Sequence, residues 1–165
     1  MSKPNEGREN DSRESVCDTQ TLIAMADPNE NKPDGTIMLI DDEDMVANAT
    51  KRVLVKILRI EEEKITVCAS VRSAITRIEG GQSPSAIISD VNMPVEAGDA
   101  FYEYLKNRPQ LIPRLLFITG GGSGSESLEE FIDKMLQRGR CLEKPFKMKD
   151  LAYKINEILG QSPKE

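Results

Sequence analysis

The chain has 165 residues, with 28 acidic against 22 basic side chains. Its net charge of -6 and pI of about 4.9 exclude the basic footprint that non-specific nucleic-acid binding needs. A hydrophobic fraction of 38% suits one domain plus an unstructured tail, and no apolar run has the length of a membrane span or a signal-peptide core. The absence of histidine removes the usual general base, the usual transition-metal ligand and any phosphohistidine within this chain, while Cys17, Cys68 and Cys141, odd in number and widely spaced, read as reduced thiols of a cytoplasmic protein.

In chain order, residues 1–35 come first. Ser, Asn, Asp, Glu and Pro dominate, and eight acidic against four basic residues give this segment -4 of the total charge. It buries too little apolar surface to offset chain entropy and is expected to be disordered. Its one apolar string, Thr21-Leu22-Ile23-Ala24-Met25-Ala26, reads first as a chance cluster and second as a patch that docks onto a partner or onto the folded domain.

From Thr36 the pattern alternates. Short apolar, largely β-branched runs at 36–40, 64–68, 85–89, 114–118 and 140–143 predict buried parallel strands. Between them the apolar residues fall at helical spacing: Val46, Ala49, Val53 and Ile57; then Val71, Ala74, Ile75 and Ile78; then Phe101 and Leu105. Leu128, Phe131, Ile132 and Met135 form a fourth set, and Leu151, Ala152, Ile155 and Ile158 a fifth. Gly80-Gly81 and Gly160 predict helix stops, and Ser125 an N-cap. Five βα units over residues 36–160 predict an α/β domain, a parallel five-stranded sheet with helices on both faces. Residues 161–165 form a short C-terminal tail, in which no effector domain fits.

The chemistry gathers at the strand ends. Asp41-Asp42 closes the first apolar run and Asp90 the third. Three carboxylates at the tips of buried strands repel one another unless something positive joins them. A hard divalent cation with oxygen ligands, Mg2+ above all, is the natural partner, and it leaves one carboxylate available as a nucleophile. In a sheet of order 2-1-3-4-5 the first and third strands are neighbours, so these tips converge where such sheets bind ligands. The same rule nominates Thr119 and Lys144 at the ends of the fourth and fifth strands. Taken alone, each has a blander reading. Asp41-Asp42 with Glu43 and Asp44 suits a helix N-terminus, Asp90 an ordinary loop, Thr119 any strand end, and Lys144 a solvated surface position.

Ile40-Asp41-Asp42-Glu43, Ser89-Asp90 followed by Met93-Pro94, Ile118-Thr119-Gly120, and Glu143-Lys144-Pro145-Phe146 occur in order at suitable spacings. Together they resemble the receiver domain of two-component response regulators, and the resemblance covers roughly residues 36–160. The string Leu142-Glu143-Lys144-Pro145-Phe146 also resembles receivers attached to hybrid histidine kinases. The resemblance implies a flavodoxin-like (βα)5 fold and a signalling module, not an enzyme acting on other molecules, that promotes its own aspartyl phosphorylation and dephosphorylation. It implies Asp90 as phosphoacceptor, Mg2+ held by Asp41, Asp42, Asp90 and the backbone carbonyl of Asn92, Thr119 and Lys144 as phosphoryl ligands, and a cis Lys144-Pro145 bond. The implied donor is a histidine kinase or a histidine phosphotransfer protein. The implied output is a downstream protein that reads the face of helix 4, strand 5 and helix 5, with no DNA or membrane contact.

Two features depart from the family. Cys141 stands three residues before Lys144, where an aromatic side chain is usual, which leaves activation to Thr119 and loop movement or to a different face. Gly120-Gly121-Gly122-Ser123-Gly124 lacks the GxxxxGK[ST] pattern of a nucleotide loop and reads as a flexible connection. Two rival readings remain. One is a metal-dependent aspartyl phosphatase, which would want a second Asp where Asn92 stands. The other is a pseudo-receiver that binds partners without phosphorylation.

Overall fold

Each of the five apolar runs forms a strand. In the computed structural model, which describes residues 34–93, 97–121 and 125–160, these are β1 (Ile37–Ile40), β2 (Ile65–Cys68), β3 (Ala86–Asp90), β4 (Leu115–Thr119) and β5 (Cys141–Glu143). The helices between and after them are α1 (Asp44–Lys56), α2 (Val71–Glu79), α3 (Ala97–Lys106), α4 (Glu126–Gln137) and α5 (Met148–Ile158). All strands pair in parallel, in the order β2-β1-β3-β4-β5. Of the expected tail 1–35, residues 1–33, with Cys17 and the apolar string, lie outside the described residues, as do Pro94, Gly122-Ser123-Gly124 and residues 161–165.

The strands start one residue later than their runs suggested. β3 and β4 extend one residue further, so that Asp90 and Thr119 are the last residues of their strands. The central strands β1, β3 and β4 are buried along their whole length, as continuous apolar runs require when helices cover both faces. Alternation then divides the core. Ile37, Leu39, Ala86, Ile88, Leu116 and Ile118 pack with α1 and α5, while Met38, Ile40, Ile87, Leu115 and Phe117 pack with α2, α3 and α4.

Helix α1 differs from its sequence reading. The apolar spacing pointed to Val46, Ala49, Val53 and Ile57, whereas the buried stripe is Ala47, Thr50, Val53 and Leu54, with Ile57 53% exposed. Periodicity counted on apolar residues passes over Thr50, a small side chain that fits against the sheet despite its hydroxyl. The other helices bury the expected faces, among them Val71 and Ala74, Phe101 and Leu105, Leu128 and Met135, and Leu151, Ala152 and Ile155. Ser125 caps α4 by accepting from the Leu128 amide, and Ser70 caps α2 in the same way through Ser73.

Asp34 stands at the start of the described residues. Its carboxylate accepts from the Thr36 amide (2.8 Å), the Thr36 hydroxyl (2.6 Å) and the Ser83 amide (3.0 Å), tying the start of β1 to the turn before β3. Burial alone would raise this carboxyl, but those hydrogen bonds outweigh it and hold it below its ordinary value.

The α2–α3–α4 side of the core is anchored by Phe117. Its ring meets Phe101 and Phe131 edge-on, with centroids 6.5 and 5.8 Å apart. Phe117→Ala should therefore cost about 3–5 kcal/mol, read as a fall in the urea midpoint at unchanged m-value. A loss below about 1 kcal/mol would show that this side of the core does not depend on the ring.

Candidate functional site

The strand order reverses direction at β1, with β2 on one side and β3 on the other, so the crevice at the carboxyl ends of β1 and β3 is the sheet's switch point. Parallel register carries the chemistry there. Ile40 pairs with Ser89, which sets Asp41 beside Asp90, and Asp90 pairs with Ile118, one residue before Thr119. Thr119 pairs in turn with Glu143, one residue before Lys144. Four predicted site residues thus fall on one edge, each at the end of a different strand.

Asp41 and Asp90 are buried, at 3% and 4% exposure, although both are carboxylates. Asp90 is held on both oxygens. Oδ2 accepts from Lys144 Nζ at 2.5 Å, and Oδ1 accepts from the Asn92 amide at 2.8 Å. Asp41 Oδ1 accepts from the Glu43 amide at 2.9 Å, so the chain turns at once into α1. Burial raises the Asp41 carboxyl above its ordinary value. The Glu43 amide opposes this, Asp90 adds to it by repulsion, and Lys144 opposes it by attraction. For Lys144 burial pulls downward, but the hydrogen bond to Asp90 and the charges of Asp90, Asp41 and Glu43 prevail, and its pKa rises. The ammonium stays charged across the neutral range and balances two buried carboxylates.

Thr119 is buried at 5% exposure, and its Oγ1 accepts from the Gly121 amide at 3.2 Å. Lys144 donates its own amide to the Thr119 carbonyl at 2.7 Å, locking the ends of β4 and β5 together. The Lys144-Pro145 bond is cis, as the resemblance implied. Asp42 and Asn92 are exposed at the rim. Cys141 is buried in the core, where burial, with Glu143 adding, pushes its thiol up to about 12; at neutral pH it is an inert thiol.

Among the described residues, as placed, no three His, Cys, Asp or Glu side chains converge closely enough to hold a metal ion. The donors at hand are nonetheless those of a hard divalent cation. Asp41 and Asp90 are carboxylates at adjacent strand ends, Asp42 follows directly at the rim, and no histidine or thiolate competes. The Asp41 carboxyl is raised chiefly by burial, with repulsion from Asp90 a smaller contribution, and a cation beside it would offset both.

One contact was not legible in the sequence. A Cβ added at Gly120 would lie 2.8 Å from Asn92 Nδ2, so glycine after Thr119 leaves room for the Asn92 carboxamide above the site. Gly120→Ala should displace that carboxamide, seen as shifted side-chain amide resonances of Asn92. Stability should change by less than about 1 kcal/mol, because the obstructing atom ends a mobile side chain and the added Cβ restricts the unfolded chain. Unmoved Asn92 resonances would refute the contact.

Fold and site together define an α/β signalling module of the flavodoxin-like class, with an acidic pocket at the switch point of its sheet. The chain belongs to the response regulator receiver domain family, whose family model matches residues 37–156, and it is thus a receiver domain of two-component signalling. Solved structures agree. A response regulator receiver domain protein of Clostridium thermocellum is 25% identical, over 76% of this chain and 94% of that one, with a TM-score of 0.57. The signal receiver domain of a signal transduction histidine kinase from Syntrophus aciditrophicus is 25% identical, over 76% and 90%, with a TM-score of 0.56. The chemotaxis response regulator CheY4 of Vibrio cholerae, 23% identical over 76% and 98% with a TM-score of 0.56, shares the fold. No curated protein matches the chain.

Proposed function

We propose that this receiver accepts a phosphoryl group on Asp90 from a phosphohistidine of a histidine kinase or histidine phosphotransfer protein. The observation that carries the reading is the pairing of Lys144 Nζ with Asp90 Oδ2 beside the buried Asp41, at the switch point of the sheet. A carboxylate oxygen of Asp90 attacks phosphorus in line. The new O–P bond forms as the P–N bond to the donor imidazole breaks, and that imidazole leaves with the bonding pair. Catalysis here is positioning and charge neutralisation. The Asn92 amide fixes the orientation of the attacking carboxylate, and Lys144 follows the negative charge from Asp90 to the phosphoryl oxygens. Asp41, Asp42, Asp90 and the Asn92 carbonyl would hold Mg2+, which would supply further positive charge to those oxygens.

In the described state the Thr119 hydroxyl is turned to Gly121. Exchange of that bond for one to a phosphoryl oxygen would move the loop after β4 and bias the α4–β5–α5 face toward a downstream protein. Incubation with acetyl phosphate and Mg2+ should add one phosphoryl group by intact mass, and chelation of the metal should prevent the gain. No gain from either acetyl phosphate or a phosphorylated histidine phosphotransfer protein would overturn the reading.

A further inference from the structure

A second concavity lies at the opposite end of the sheet. It is an open cavity of ≈ 580 Å³ at the amino ends of the strands. Ile37 opens β1 there, Leu58 and Ile60 come from the loop after α1, and Ile158 ends α5; these form an apolar floor. At the rim stand Arg59 and Arg114, the latter already donating to Ser83 Oγ at 3.1 Å and to the Pro84 carbonyl at 3.2 Å, while Lys64 and Glu61 pair with each other at 3.0 Å. Arg59 adopts φ 59°, the only described non-glycine residue with positive φ. It follows the end of α1, where the Ile60 amide closes back onto the Leu54 carbonyl, a position glycine would fill without strain. The chain instead keeps a guanidinium at the mouth of the cavity.

Gly35 lines the same cavity, so the N-terminal segment reaches the domain at this rim. That segment contains one apolar string, Leu22-Ile23-Ala24-Met25, and between Arg13 and Lys32 its only charged residues are the acidic Glu14, Asp18, Asp27 and Glu30. The ten residues from Ala26 to Gly35 can span up to about 33 Å, more than the cavity requires. An apolar string bracketed by acids, tethered beside an apolar floor bracketed by arginines, matches it in polarity and in charge. A short tether also gives a high effective concentration.

We propose that Leu22-Ile23-Ala24-Met25 docks into this basal cavity of its own chain, with Asp18 and Asp27 facing Arg59 and Arg114. The test uses the full chain and two variants. Ile23→Asp with Met25→Asp removes the apolar anchor without touching the folded domain. Arg59→Gly removes the guanidinium and relieves the strained φ, so the fold is retained. Both variants should shift the backbone resonances of Gly35, Leu58 to Glu61 and Ile158, and leave those of Asp90 and Thr119 in place. In the first variant the amides of Leu58 to Glu61 should exchange with solvent about fivefold faster, as loss of a docked fraction of about 80% requires. Unchanged resonances at the cavity in the first variant would overturn the proposal. So would shifts that vanish on tenfold dilution of the wild type, since these would place the segment of a second copy in the cavity.

Discussion

Asp90→Asn is expected to reduce phosphoryl uptake from acetyl phosphate to background while the domain remains folded. The substitution keeps the shape of the side chain and an oxygen able to accept from the Asn92 amide, so the turn after β3 survives. It removes the negative charge that the proposed nucleophile requires and leaves Lys144 with Asp41 as its remaining buried anion. Thr119, at the end of the neighbouring strand, keeps its hydroxyl, so a residual gain in the variant would point to esterification there. Intact mass after incubation with Mg2+ and acetyl phosphate reads the result directly. A full gain of one phosphoryl group in the variant would remove Asp90 from the role assigned to it.

Asp41→Asn should move stability and metal binding in opposite directions. The carboxylate is buried at 3% exposure, burial lifts its pKa above the ordinary 3.8, and Asp90 adds repulsion. A carboxyl whose folded pKa is raised favours folding when protonated. That contribution is complete below pH 3.8 and is lost as pH rises through the raised value, so at neutral pH the wild type carries an unfavourable charge. Asparagine does not titrate. In the absence of divalent ions the variant should be more stable at pH 7 by about 1–2 kcal/mol, the scale of a partly compensated buried charge. Its stability should also lose the part of the acid dependence that Asp41 causes. Mg2+ affinity should fall by about a hundredfold or more, since a charged oxygen ligand becomes neutral. Chemical denaturation with and without Mg2+, at pH 4 and pH 7, separates these effects. A variant less stable than wild type at pH 7 without metal would show that the Glu43 and Lys144 contacts outweigh burial. Stability given up for binding is the compromise that the proposed ion and phosphoryl site predicts.

Much of this could be read before any coordinates. Continuous apolar runs ending in Asp41, Asp90 and Thr119 dictate buried parallel strands, because only a strand covered on both faces can be apolar at every position. Helical spacing between the runs dictates the βα alternation, and the carboxylates at the strand tips dictate where the chemistry lies. The face of α1 was misjudged because Thr50, polar by composition, is buried by position. The room that Gly120 leaves for Asn92 was invisible because it depends on the approach of two loops distant in sequence. The basal cavity was invisible for the same reason, as its walls come from β1, the loop after α1 and the end of α5.

The sequence by itself determined the elements, their parallel pairing and the identity of the groups at the strand ends, since local periodicity and the cost of burying charge act on residues near one another in the chain. Only the tertiary structure decided that Lys144 meets Asp90 on Oδ2 while the Thr119 hydroxyl turns to Gly121, and that Arg59 stands strained over an apolar hollow beside Gly35. Those arrangements follow from side-chain packing and backbone approach across strands that close only when the whole sheet forms, and no spacing along the chain encodes them.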